Sequence, residues 1–145
     1  MKIVTWNING IKARIENLCL WLKESDPDVV CLQEIKSVDE NFPREAIEEL
    51  GYHVETHGQK GFNGVAILSK MTPEEVNRGL PGDDADEHAR FMEAVFSTEK
   101  GVLRVVSLYL PNGNPVDTPK FPYKLAWMER LNAFAADRQI GRAHV

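Results

Sequence analysis

The sequence predicts an α/β layered sandwich built on a mixed sheet. Three observations predict it. The chain opens strand, helix, strand, the connection that parallel pairing requires. It continues with strands joined by short turns, which pair antiparallel. Its 145 residues, 43% hydrophobic and 27% charged, have the composition of one globular domain and not of a disordered chain.

Residues 2–7 alternate with a strand period, Ile3 and Thr5 facing one way and Val4 and Trp6 the other, until Gly10 ends the run. Residues 12–24 change to helical spacing, with Ile15, Leu18, Cys19 and Leu22 on one stripe. Asp26-Pro27-Asp28 breaks that helix. Residues 29–33 are apolar on both faces, as a buried strand requires. A short helix over residues 44–50 closes at Gly51. Strands at 52–56 and 65–68 flank a glycine-bearing loop, residues 58–64. Residues 79–90 form a polar loop whose acidic run (Asp83, Asp84, Asp86 and Glu87) reads as solvated. Residues 91–97 and 102–110 form a hairpin. A loop with four prolines, residues 111–122, leads to a last helix over about residues 120–138, with Trp127, Leu131 and Phe134 on one face.

No run approaches the ~20 apolar residues that span a bilayer, and the N-terminus lacks a signal-peptide pattern, so no membrane role is expected. Cys19 and Cys31 lack CxxC spacing and read as buried free thiols of a cytoplasmic protein. The net charge of −5 does not by itself suggest a nucleic-acid partner. Basic residues nevertheless sit in loops beside glycines: Lys12, Arg14, Lys36 and Lys60.

Three apolar strands end in polar groups: at Asn7, at Gln33-Glu34 and at Tyr109, with Asn112 shortly after. If these ends converge, they gather a carboxylate, two amides and a phenol. Glu34 follows Val-Val-Cys-Leu-Gln, where an unpartnered charge is costly. A hard divalent cation is one partner; Lys36, Lys2 or solvent are the alternatives. Asn7 suits either local backbone bonding or a phosphate oxygen. Tyr109 suits either packing or catalysis. The loop 58–64 combines glycines with Lys60, which would let it approach a phosphate backbone. None of the histidines (His53, His57, His88, His144) has metal-ligand spacing.

Together these residues resemble the exonuclease III and abasic-site endonuclease family. Thr5-Trp6-Asn7-Ile8-Asn9-Gly10-Ile11-Lys12-Ala13-Arg14 is similar to its opening motif, and Leu32-Gln33-Glu34-Ile35-Lys36 to its second. Gly58-Gln59-Lys60-Gly61-Phe62-Asn63-Gly64-Val65-Ala66-Ile67 and Tyr109-Leu110-Pro111-Asn112-Gly113 match two more, with Arg90-Phe91-Met92-Glu93-Ala94 between them. The resemblance implies a DNase I-like four-layered α/β sandwich with mixed sheets. It implies hydrolysis of double-stranded DNA at abasic sites and at 3′ ends, by a monomer when complete. It assigns Mg²⁺, with Mn²⁺ as substitute, to Glu34 and Asn7. It makes Tyr109, Asn7 and Glu34 the catalytic group, and turns Lys36, Lys60, Asn63, Arg90 and Asn112 toward DNA.

The sequence also departs from the family. The later Gly-Asp-x-Asn, Asp-bearing and Ser-Asp-His segments do not occur, and Gly82-Asp83-Asp84-Ala85 is only an echo of the first. Residues 1–139 are therefore expected to be the N-terminal half of the sandwich, inactive alone. Residues 140–145, Ile-Gly-Arg-Ala-His-Val, match one reading frame of a common sequencing adapter and are expected to be non-native. Two other readings are a non-catalytic DNA- or metal-binding module and a phosphomonoesterase of the same superfamily.

Overall fold

The computed structural model describes the backbone of residues 1–143 and the side chains of residues 1–138. The chain divides into two compact units: Met1–Gly79 with His88–Tyr109, and Leu80–Glu87 with Leu110–Val145.

The first unit holds two sheets. Strand β1 (Ile3–Asn7) leads through helix α1 (Ile11–Ser25) to β2 (Val29–Gln33). β1 and β2 pair in parallel, Asn7 beside Gln33. The helix ends because Asp26 turns left-handed (φ 48°), its N–H bonding back to the Leu22 carbonyl, and Pro27 cannot continue the ladder. After a short 3₁₀ turn and α2 (Arg44–Glu48), β3 (His53–His57) and β4 (Val65–Ser69) pair antiparallel, and β4 pairs antiparallel with β2. The sheet order is β1-β2-β4-β3, mixed as expected. The second sheet, β5-β6-β7, is antiparallel throughout: β5 (Glu75–Arg78), β6 (Phe91–Thr98) and β7 (Gly101–Leu108).

Strand period distributes the core. Val30 and Leu32 of β2 face α1 and α2, packing with Leu18, Leu22 and Ile47. Val29 and Cys31 face the second sheet, packing with Met92, Ala94 and Phe96. β2 is buried on both faces because layers lie on both sides. Each such aliphatic side chain contributes roughly 1.5–3 kcal/mol by leaving water. The strand β5 was not expected from the sequence. It is a four-residue edge strand, Glu-Val-Asn-Arg, with little apolar alternation to announce it.

The second unit contains α3 (Lys120–Ala143), which runs past the expected end near residue 139; His144 and Val145 lie outside the described residues. The acidic loop is not wholly solvated. The Asp86 carboxylate accepts from Arg130 at 2.9 Å and from the Tyr123 hydroxyl at 2.9 Å. Arg130 also donates to the Leu80 and Pro81 carbonyls at 2.7 and 3.3 Å. An arginine that caps three acceptors draws in one carboxylate of a run that otherwise faces water. No described helix is long and apolar enough to cross a membrane.

Candidate active site

Strand pairing continues beyond the strands at one end of the first unit. Ile8, Gly10 and Ile11 N–H groups donate to the carbonyls of Gln33, Glu34 and Ile35 at 3.0, 2.8 and 3.0 Å. Ile35 and Lys36 donate to Gly64 and Asn63 at 3.2 and 3.0 Å, and Gly64 to Ala89 at 2.8 Å. Tyr109 donates to Arg90 at 2.8 Å. These bonds lace the loops after β1 and β2, before β4 and before β6 into one rim. Four non-glycine residues of that rim are left-handed: Asn9 (φ 46°), Glu34 (φ 52°), Lys36 (φ 52°) and Asn63 (φ 54°). Such conformations cost about 1–3 kcal/mol each and persist where surrounding bonds enforce them, which singles out this rim.

The three strand ends converge as expected. Asn7 Nδ2 donates to Glu34 Oε1 at 3.1 Å. The Asn9 N–H donates to Asn7 Oδ1 at 3.2 Å, which fixes the face the amide presents. Lys36 Nζ donates to Asn9 Oδ1 at 2.6 Å and stands 3.7 Å from Glu34 Oε2. Of the sequence's alternative partners for Glu34, Lys36 is present and Lys2 is not; Lys2 caps Ser25 at 2.7 Å. The Tyr109 hydroxyl, acting as a donor, is the largest influence holding the Glu34 carboxyl below its usual range; burial opposes it, and Asn7 and Lys36 assist. Burial first, and Glu34 second, push the Tyr109 phenol up. At neutral pH the pair is therefore a carboxylate beside a protonated hydroxyl.

The remaining predicted residues differ in placement. Lys36 and Lys60 are exposed. Asn63 is buried and its amide donates to Gln59 Oε1 at 3.1 Å, so it organises the loop that carries Lys60. Arg90 lies against Tyr109, its guanidinium carbon 5.1 Å from the ring centroid. Asn112 belongs to the second unit, exposed, its Oδ1 accepting from the Asn114 N–H at 2.8 Å.

Sequence reasoning gave no site role to Asn9, Arg14, Gln33 or Gln59. Arg14 Nη1 donates to the Asn9 carbonyl at 2.7 Å, holding the turn under Asn7. Buried Gln33 donates to Thr5 Oγ1 at 3.0 Å and to Ser107 Oγ at 3.4 Å, tying β1, β2 and β7 beneath the rim. Gln59 Oε1 also accepts from the Ala89 N–H at 2.9 Å. The one available signal was polarity at the ends of apolar strands.

Among the described residues no group of three or more His, Cys, Asp or Glu side chains could hold an ion. A cage of the zinc type is thus not formed by these residues. The donor set at Glu34, one ionised carboxylate that keeps 20% of its side chain exposed beside an amide, fits a hard cation that retains most of its waters. A cleft of about 470 Å³ opens at the other end of the first sheet, among Arg44, Tyr52, His53 and Lys70. Its charged groups are already paired, Lys70 with Asp26 at 2.6 Å and Arg44 with Glu48 at 3.9 Å.

A mixed α/β sandwich whose strand ends gather an ionised carboxylate, an amide and a protonated phenol has the equipment of a metal-assisted phosphoester hydrolase. Comparison with known proteins narrows this. Residues 4–145 match the endonuclease/exonuclease/phosphatase family, and the chain belongs to that family. It is 46% identical over 125 residues to the exodeoxyribonuclease III of Haemophilus influenzae, covering 86% of this chain and 47% of that protein. The 3′ phosphatase NExo from Neisseria, solved with a product DNA hairpin, superposes with a TM-score of 0.90 at 38% identity, over 97% of this chain and 53% of that one. An AP endonuclease from Archaeoglobus fulgidus gives 0.83 at 41% identity, over 90% and 49%. The expected DNase I-like sandwich is the fold these relatives share. The nucleases of the family are metal-dependent. The chain spans about half the length of the curated relatives it matches.

Proposed function

We propose that this chain carries the metal- and phosphate-binding half of a magnesium-dependent DNA-repair nuclease. The reaction is hydrolysis of phosphodiesters beside abasic sites and at duplex 3′ ends. The observation that carries the reading is the single cluster of Glu34, Asn7 and Tyr109 at the converged strand ends. The names of the relatives support it.

Glu34 and Asn7 would hold the cation, Mg²⁺ with Mn²⁺ as substitute. Bound there, a divalent ion supplies a Lewis acid that neutralises charge developing on the phosphate. The chain's own groups bind and orient the phosphate. The Tyr109 hydroxyl, kept protonated, would turn its one proton from Glu34 to a phosphoryl oxygen when substrate binds. Exposed Lys36 and Lys60 meet the DNA backbone and Asn63 shapes the loop; Asn112 is a separate DNA contact of the second unit. The partner is double-stranded DNA, and the complete protein is a cytoplasmic monomer.

Among the described residues, the groups that act on Glu34 are a phenol, an amide and an amine, none of them a histidine or second carboxylate that could deprotonate water. The chain alone is therefore inactive in this reading. The test uses a labelled abasic-site duplex with Mg²⁺. The chain by itself should leave it intact, and the chain fused to the C-terminal half of the Haemophilus influenzae relative should incise it. Metal-dependent incision by the chain alone refutes the inactivity; an inert, folded fusion refutes the nuclease reading.

The Neisseria relative, named a 3′ phosphatase, favours a second reading in which the same cluster removes a 3′ phosphate from DNA. A 3′-phosphorylated duplex in the same assay separates the two.

A further inference from the structure

Arg90 and Tyr109 are joined in three ways. The β6–β7 register sets Phe91 opposite Leu108, so the residues just outside that pair meet next. The Tyr109 N–H donates to the Arg90 carbonyl at 2.8 Å. Arg90 Nη1 returns a bond to the Tyr109 carbonyl at 3.3 Å. The same guanidinium covers the Tyr109 ring, 5.1 Å from its centroid. Arg90 is itself held from behind. Its neighbour Ala89 accepts from Gly64 at 2.8 Å and donates to Gln59 at 2.9 Å. Its Nε lies 3.4 Å from His88 Nδ1. The reach of a tyrosine hydroxyl depends on two side-chain torsions, and a strand-end residue has neighbours on fewer sides to fix them. Tyr109 packs against the cluster between the two sheets; a planar cation across the ring, anchored to the same residue's carbonyl, adds a second constraint.

We propose that Arg90 is a positioning residue: it locks the Tyr109 ring in the orientation from which the hydroxyl reaches Glu34, and so acts on a phosphate through Tyr109 instead of by direct contact with DNA. The inference rests on the reading of Glu34 and Tyr109 as the phosphoryl-transfer site. It changes the role that family resemblance assigns to Arg90. Lysine keeps a cation over the ring; methionine keeps only the stem; glutamine keeps a donor without charge.

The test is made on the isotope-labelled 145-residue chain, with no metal or DNA. Nuclear Overhauser contacts between the Tyr109 ring and the Glu34 side chain are measured, with the ring-flip rate of Tyr109 read from its line shapes. Methyl resonances of Leu18, Val30 and Leu68, in the cluster on the other face of the first sheet, report whether the fold is intact. Wild type and R90K should show the contact. R90M should lose it and flip roughly tenfold faster, with those methyls unmoved. R90Q should also lose it, and serves if R90M does not fold. Persistence of the contact in R90M or R90Q overturns the proposal and returns Arg90 to the rim as a phosphate-facing cation. Because the readout needs no turnover, failure of the nuclease reading leaves it interpretable, and its own failure leaves the nuclease reading standing.

Discussion

The Asn7 amide donates to the Glu34 carboxylate across 3.1 Å, joining residues 27 positions apart in the chain. The bond exists because β1 and β2 run parallel in a register that sets Asn7 beside Gln33. The left-handed turn at Glu34 then carries its carboxylate to the rim. Asn9 orients the amide from the other side.

Groups that orient a metal ligand typically account for 10–100-fold in metal affinity. Asn7→Ala should weaken Mn²⁺ binding about tenfold by calorimetry, while Glu34→Gln abolishes it. Equal affinities for wild type and Asn7→Ala would show that the amide does not support the ligand.

Glu34 is held at a φ of 52°, where a side chain other than glycine's is strained. Glu34→Gly should raise the unfolding free energy by up to about 1 kcal/mol while removing cation binding. Urea unfolding monitored by tryptophan fluorescence checks this. A loss of stability would mean that the carboxylate's hydrogen bonds outweigh the backbone strain.

That strain is also where the sequence stopped being legible. Glu34, Asn7 and Tyr109 stood out because each is polar at the end of an apolar run, and the buried strand at residues 29–33 was readable because both faces are apolar. Left-handed turns at Glu34 and Lys36 carry no local signal, since they are imposed by neighbouring loops and not by glycine or asparagine. The clasp of Arg90 on Tyr109 depends on hairpin register, which composition does not reveal. Strand β5 lacks apolar alternation. Asp86 reads as solvated until Arg130, 44 residues later, is seen to reach it.

Gly64 closes the rim with a φ of +88°, and a Cβ there would lie 2.5 Å from Ile35 Cγ1. Gly64→Ala should cost about 2–4 kcal/mol, from the left-handed conformation and overpacking together. The measurement is denaturant unfolding. A cost under about 0.5 kcal/mol would show that the loops before β4 and after β2 are not tightly joined.

Acid should destabilise the chain through His57. Burial, the largest influence, lowers its pKa in the folded state; Asp39 opposes this and Arg78 assists. Near pH 6.5 the unfolded chain therefore takes up a proton that the folded chain refuses, and stability falls as pH drops from there to the folded value. Glu34 acts in the same direction at lower pH. Its folded pKa is depressed, so the stability present above the ordinary carboxylate range is lost as pH falls through the folded value. The urea midpoint should be lower at about pH 5.5 than at about pH 7.5, and His57→Gln should remove most of that difference. An unchanged pH dependence in His57→Gln would assign the effect to other groups.

The most direct test of the whole account is paramagnetic broadening by Mn²⁺. Titrated into the labelled chain, the ion should first broaden resonances of Asn7, Glu34 and Tyr109 together, and Glu34→Gln should abolish the effect. Broadening centred on the acidic loop at Asp83 and Asp84, or surviving in Glu34→Gln, would contradict a cation site at the converged strand ends.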